Sequence, residues 1–184
     1  MGRHSFHRGS LALDFVGTVG RRDSAPEERL PTVSSLEDWL CEAHLLERSS
    51  RLTRKQLDIA IDTREAAAAV RGAVADGRPL PVQQVRRLNA AAAALPRPQL
   101  NAKTGRRAAG KSEFTAAIAR VASDAIAVAS DYRERLVRCN LEECRGLLLS
   151  AAAGERRRWC TMDRCGNLAK VRAYRRRRQA ENNF

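Results

Sequence analysis

The most regular stretch of the chain begins at Ser112, where Phe114, Ile118, Val121, Ala125, Val128, Tyr132 and Leu136 recur every three or four residues. That period predicts one helix of about 25 residues with a single apolar face, running almost directly into Cys139. Earlier segments repeat the pattern. Ser34-x-x-Glu37 reads as a capping box, with Leu36, Trp39, Leu40, Ala43 and Leu46 at helical spacing behind it. Thr53-x-x-Gln56 opens another helix, with Leu57, Ile61, Arg64, Ala68, Arg71 and Val74 along one side and Gly77 as its stop. Pro81 suits a first turn, after which Val85, Leu88, Ala92 and Leu95 continue until Pro96 and Pro98 break the pattern. Residues 10–20 form a short apolar element around Asp14, whose carboxylate is expected to cap or pair internally. Residues 96–111 have no period and read as an exposed loop. Residues 1–138 therefore read mostly as an α-helical bundle.

The end of the chain follows a different rule. Cys139-x4-Cys144 and Cys160-x4-Cys165 are two pairs of identical spacing, fifteen residues apart. Four soft thiolates from two loops suit a tetrahedral structural Zn²⁺. Disulfides, four unrelated buried thiols and an iron–sulfur cluster are the other readings of such a cluster. Nothing polar is suitably spaced to open a catalytic coordination position, so the metal is read as structural. Between the pairs, Leu147–Leu149 can run out as a strand, Ala151 to Gly154 can turn, and Arg157–Trp159 can return. Gly166-Asn167 can then start a helix through Arg178, with Leu168 and Val171 free to pack inward. Knuckle, hairpin and helix together make a treble-clef-like module. Cys41 falls among apolar positions and reads as a core thiol, and His4, His7 and His44 are too scattered to form a site.

Charge sharpens this picture. The 184 residues carry 34 Lys and Arg against 21 Asp and Glu, a net charge of +13, which favours a polyanionic partner. Aromatic residues at 4% are too few for base-stacking platforms, whereas 43% hydrophobic residues suffice for a core. Residues 139–178 hold 11 basic and 4 acidic side chains, a far denser positive charge than the preceding 138 residues. Arg156, Arg157, Arg158, Arg164, Lys170, Arg172, Arg175 and Arg176 bracket the cysteines and are the candidate DNA contacts.

The segment Arg158-Trp-Cys-Thr-Met-Asp-Arg-Cys-Gly-Asn-Leu-Ala-Lys-Val-Arg-Ala-Tyr-Arg resembles the CGNR zinc finger family. These bacterial proteins are described as stress-induced transcription regulators, with a C-terminal zinc module behind a helical domain called ABATE. Leu11-Ala-Leu-Asp-Phe-Val-Gly-Thr18 resembles the start of that domain. The resemblance implies that Cys139, Cys144, Cys160 and Cys165 hold zinc and that Lys170 and Arg172 belong to a DNA-facing helix. Two positions depart from the pattern: Leu168 stands where the name-giving Arg is expected, and Gly17 where the N-terminal motif has Asn. The expected fold is mainly α, with a helical ABATE-like domain over 1–138 and a treble-clef-like zinc module, hairpin plus basic helix, over 139–184.

The expected function is that of a non-enzymatic regulator binding duplex DNA. Its N-terminal domain would sense a small molecule or stress signal, or pair with a second copy. A protein- or RNA-interaction module is the alternative. Gly105-Arg-Arg-Ala-Ala-Gly-Lys-Ser112 satisfies the P-loop pattern, but no buried strand precedes it and no later strand offers an Asp for magnesium, so nucleotide hydrolysis is disfavoured. No run approaches 18 apolar residues and the N-terminus lacks a signal-peptide core, so a cytoplasmic, nucleoid-associated bacterial protein with no membrane partner is expected.

Overall fold

A six-residue helix, α1 (Leu11–Val16), lies at the centre of the molecule with Leu13, Phe15 and Val16 almost wholly buried. A helix this short does not hold in water, so burial and capping sustain it. Ser10 caps its start, and Asp124 accepts the Ala12 N–H at 2.7 Å and the Ser10 hydroxyl. The structure, a computed structural model, describes residues 4–47, 51–95, 103, 113–154 and 157–181. Asp124 belongs to α5 (Glu113–Ser130), which packs with α1, α3 (Arg54–Ala75) and α4 (Val82–Ala92) as a bundle. Ala60, Ala66, Ala67 and Ala73 on α3 and Ala117, Ala119 and Ala122 on α5 are buried, and side chains this small let helix backbones approach closely. α2 (Val33–Glu42) adds Leu36, Trp39 and Leu40, and Trp39 packs on Phe15 at 4.7 Å between ring centres. Among the described residues no helix is long and apolar enough to cross a membrane.

Two short strands, β1 (Val19–Gly20) and β2 (Glu27–Glu28), pair antiparallel and deliver Glu28 to the buried Arg64 of α3. Arg64 donates to both Glu28 oxygens at 2.8 and 2.6 Å, to Thr18 Oγ1 at 3.0 Å and to Glu65 at 2.9 Å. Burial works against ionising Glu28, but these bonds and the Leu30 N–H outweigh it and hold its carboxyl below the usual range. The arginine on the apolar side of α3 is thus a paired core cation.

The periodic helices agree with the sequence in place, but the buried side of α3 runs through Leu57, Ala60, Arg64, Ala67, Val70 and Ala73, leaving Ile61, Ala68, Arg71 and Val74 half-buried at its margin, and three further corrections apply. The cap of α2 is Thr32 with Ser35, each side chain bonding the other's backbone N–H, rather than Ser34 with Glu37. Glu37 instead accepts the Leu52 N–H at 2.7 Å, tying α2 to the approach of α3. The long helix expected from Ser112, α5, stops at Ser130 and does not enter the cysteines; a 3₁₀ turn (Arg133–Arg135) leads into β3 (Leu136–Arg138). Consequently the strand that partners Leu147–Leu149 precedes the cysteines: β3 pairs antiparallel with β4 (Leu147–Leu149), Leu136 opposite Leu149, and Arg157–Trp159 is not a strand. Leu136 fitted the helical period, but pairing with Leu149 satisfies its backbone in the ladder. The expected loop at 96–111 and the P-loop match at 105–112 fall outside the described residues, apart from Lys103.

The N-terminal segment crosses this hairpin. Leu149 N–H donates to Arg8 O at 2.8 Å, Arg8 Nη1 to Leu147 O at 3.2 Å, and Arg157 to His7 O. Leu13, Val128, Leu147 and Leu149 form a separate apolar cluster at the seam between bundle and hairpin.

Candidate metal centre and basic helix

The eight residues joining β3 to β4 carry the first cysteine pair. Cys139 N–H donates to Gly146 O at 2.9 Å, and the N–H groups of Cys144 and Arg145 both reach Leu141 O at 2.9 Å. Arg145 takes a φ of +40° to turn the chain back, a left-handed conformation that costs an L-residue energy. A Cβ on the next residue, Gly146, would lie 2.5 Å from Arg8 Nη1, so glycine admits that side chain. The second pair is brought alongside by Asn140 N–H donating to Arg158 O at 2.8 Å. Cys165 sits in a π-helical turn (Met162–Gly166) that runs into α6 (Asn167–Glu181).

All four sulfurs lie within 4.8 Å of one another, with Cys160–Cys165 at 3.3 Å and Cys144–Cys160 at 3.6 Å. A tetrahedral ion with metal–sulfur bonds of about 2.3 Å requires sulfurs about 3.8 Å apart, so the donor set fits a metal ion without rearrangement of the chain. Sulfur hydrogen bonds already divide the four groups. The bond with Cys144 holds Cys139 up, but those with Cys160 and Cys165 outweigh it and bring it down to about 6. Cys144 is driven far below the usual thiol range by Cys139, Cys160 and Cys165, whereas Cys160 and Cys165 are held above it, first by Cys139 and then by Cys144. A divalent cation would displace the retained protons and satisfy all four sulfurs. Leu141 and Leu148 are buried around the cluster, with Val137 and Trp159 packed against them.

The candidate DNA residues separate into groups. Arg157 faces inward and donates to the carbonyls of Trp159 at 3.3 Å, Cys160 at 2.9 Å and Leu149 at 3.4 Å, besides His7. Arg158 is exposed and lies over the Trp159 ring at 5.2 Å. Arg164 pairs with Glu27 at 3.7 Å and Arg172 with Glu143. Lys170, Arg175 and Arg176 are exposed on α6 and form no ion pair among the described residues. Arg156 lies outside the described residues.

The expectation that Leu168 and Val171 pack inward is corrected: they are 39% and 44% exposed, and Tyr174 on the next turn is 53% exposed. The sulfur cluster with Leu141 and Leu148 already fills the small core, so α6 projects from its foot with its apolar stripe uncovered. Sequence reasoning did not find the gathering of Arg8, Arg22, Arg71 and Arg138 between bundle and hairpin. The one signal was Arg71 falling on the apolar side of α3.

Comparison with known families agrees with this architecture. Residues 9–132 match the model of the ABATE family, described as "Putative stress-induced transcription regulator", and residues 135–178 match that of the CGNR zinc finger. Comparison with curated proteins gave no match. The family description is that of a regulator, in keeping with the reading that the chain is not an enzyme. A helical body over the first match, and a four-cysteine hairpin and helix over the second, lead to one conclusion: the chain belongs to the ABATE family and carries a CGNR zinc finger.

Proposed function

We propose that the protein is a zinc-dependent, DNA-binding transcription regulator, cytoplasmic and nucleoid-associated, divided near residue 138 into a sensing or dimerising body and a finger. Cys139, Cys144, Cys160 and Cys165 hold a structural Zn²⁺, the metal that four thiolates in this arrangement suit best. The zinc supplies folding energy rather than chemistry, because a core this small does not sustain the module. The observation that carries the reading is a basic helix anchored at its foot to the sulfur cluster, with Lys170, Arg175 and Arg176 exposed and unpaired among the described residues. Arg158, Arg164 and Arg172 extend that surface, and exchanging Glu27 and Glu143 for phosphates would free the last two. Arg157 is assigned to holding the finger on the body. Six such cations on phosphates give a slope of log K against log salt of about −5.

Selection from a random duplex library at near-physiological salt tests this. Enrichment of a motif, a slope near that value, and loss of binding in Cys160→Ser with the helical body intact are expected. DNA affinity that survives Cys160→Ser would refute the finger's role. A second reading, a zinc-stabilised surface for a protein or RNA partner, is favoured by the exposed stripe of Leu168, Val171 and Tyr174. It requires that duplex DNA show no salt-dependent affinity.

A further inference from the structure

Between the bundle and the finger lies a cleft of about 770 Å³, within the range of small-molecule sites. Ten arginines line it against five acidic side chains. Its floor is made partly by Val16, Ala68 and Leu141, and one end reaches Cys144, Cys165 and the foot of α6. Four of the arginines come from four different segments: Arg8 from the N-terminal strap, Arg22 from the β1–β2 loop, Arg71 from α3 and Arg138 from β3. Arg22 pairs with Glu65 and Arg138 with Asp76. Arg8 donates to Leu147 O, and Arg71 Nε has no hydrogen-bond partner among the described residues.

Arg71 is the anomaly. It is half-buried as a residue, and its Nε is fully enclosed with nothing to donate to. Burial first, and then Arg8, Arg22 and Arg138, draw its guanidinium down to about 9, with Asp23 pulling the other way. It therefore remains a cation at neutral pH, held among other cations with the charge of Asp23 only partly offsetting them. Arg64, two turns earlier on the same side of α3, shows what this fold does with a structural arginine: it gives it Glu28 and Glu65.

The unpartnered buried polar atoms point to the same place. Among the described residues, those of Arg22, Trp39, Arg71, Glu143 and Thr161 all belong to side chains lining this cleft, and the other, on Gln84, does not. Three are N–H donors, one is a hydroxyl and only Glu143 offers an acceptor alone. A ligand matching them is rich in acceptor oxygens and carries negative charge. A phosphate places two charges and three acceptor oxygens on one group, which suits converging guanidinium forks better than a single carboxylate does.

We propose that this cleft binds a small phosphate-bearing anion, gripped by Arg71 together with Arg8, Arg22 and Arg138. The proposal rests on the reading of the body as a sensor and names the chemistry sensed. Because Arg71 belongs to the body and Arg138 to the finger's own hairpin, the bound anion joins the two segments at the foot of the basic helix.

The test is thermal unfolding of the zinc-loaded full chain at constant ionic strength, with inorganic phosphate, adenosine 5′-monophosphate or succinate added. Phosphate and the monophosphate should each raise Tm, by about 5–10 °C at a hundredfold excess over Kd, and succinate should not. Tighter binding of the monophosphate identifies an organic ester as the ligand, and equal binding identifies the free anion. Arg71→Met should melt no lower than the wild type without ligand, since it removes an uncompensated charge, and should lose the response. Arg138→Gln, on β3 of the finger's hairpin, should weaken Kd at least tenfold, which keeps the test informative should Arg71→Met fail to fold. An unresponsive wild type, an Arg71→Met protein that responds like wild type, or a succinate effect equal to that of phosphate would overturn the proposal. Arg175→Gln/Arg176→Gln separates the two readings. It should lose DNA affinity and keep the anion response, and loss of the anion response there would overturn the cleft. Failure of the wild type to bind DNA, with the anion response intact, counts against the DNA reading alone.

Discussion

Replacing Asp14 by Asn should stabilise the protein at neutral pH and cease to do so in mild acid. Asp14 is 6% exposed on α1 and accepts the Arg8 N–H at 2.9 Å. Burial pushes its carboxyl from 3.8 up to about 6, against the opposing pull of Arg8 and His7. At about 1.36 kcal/mol per pK unit, that gap is worth about 3 kcal/mol. Above pH 6 both the folded and unfolded chains are ionised at this position, and the folded state bears the whole cost. As pH falls from about 6 towards 3.8, the folded state takes up a proton that the unfolded chain does not yet bind, and stability returns. Asn keeps a carbonyl oxygen for the Arg8 N–H and carries no charge. Asp14→Asn should therefore be about 2–3 kcal/mol more stable than wild type at pH 7.5, the difference shrinking through pH 6 and vanishing near pH 4. Urea unfolding of both zinc-loaded proteins at each pH, followed by the fluorescence of Trp39 beside Phe15, measures it. Taking the difference at each pH cancels any acid effect on the metal that the two proteins share. A variant less stable at pH 7.5, or a difference flat in pH, would refute the reasoning.

Arg64→Met leaves Glu28 and Glu65 without their shared cation. Because those carboxylates are 38% and 43% exposed, the cost should be about 2–3 kcal/mol rather than that of a fully buried pair, read from the urea midpoint. Glu28 is held below its ordinary value, so this bridge stabilises above the usual carboxylate range and is lost as pH falls through the depressed one; the penalty of Arg64→Met should shrink in acid accordingly. Removing the metal with a chelator should expose the β3–β4 amides to rapid hydrogen exchange while those of α3 and α5 stay protected. Equal acceleration in α3 and α5 would mean that body and finger unfold as one unit.

What could be read in the sequence was whatever depends on neighbours in the chain. The helices were legible because their apolar period is local, and the cysteine cluster because ligand spacing is. Leu136 was misassigned because its position satisfies a helical period as well as a strand, and only the pairing with Leu149 decides between them. Arg64 and Arg71 stood out as cations on an apolar face, yet their fates differ through partners far along the chain. Glu28 reaches one across 36 residues, whereas among the described residues the Nε of the other has nothing to bond. Leu168 and Val171 looked like inward residues because the pattern cannot report how little core the finger has left to cover.

The crossing of Arg8 over Leu149 has a mechanical meaning for any complex this protein forms. The finger is laced to the body by a backbone bond, a guanidinium clamp and a shared apolar cluster, not hung from a spacer. A tethered finger searches a volume set by its linker and can adapt to different separations of its target sites. A laced one is aimed. In an assembly of two copies, the distance and angle between the two basic helices would be fixed by how the bodies meet, and the tolerated spacing on a partner would be correspondingly narrow.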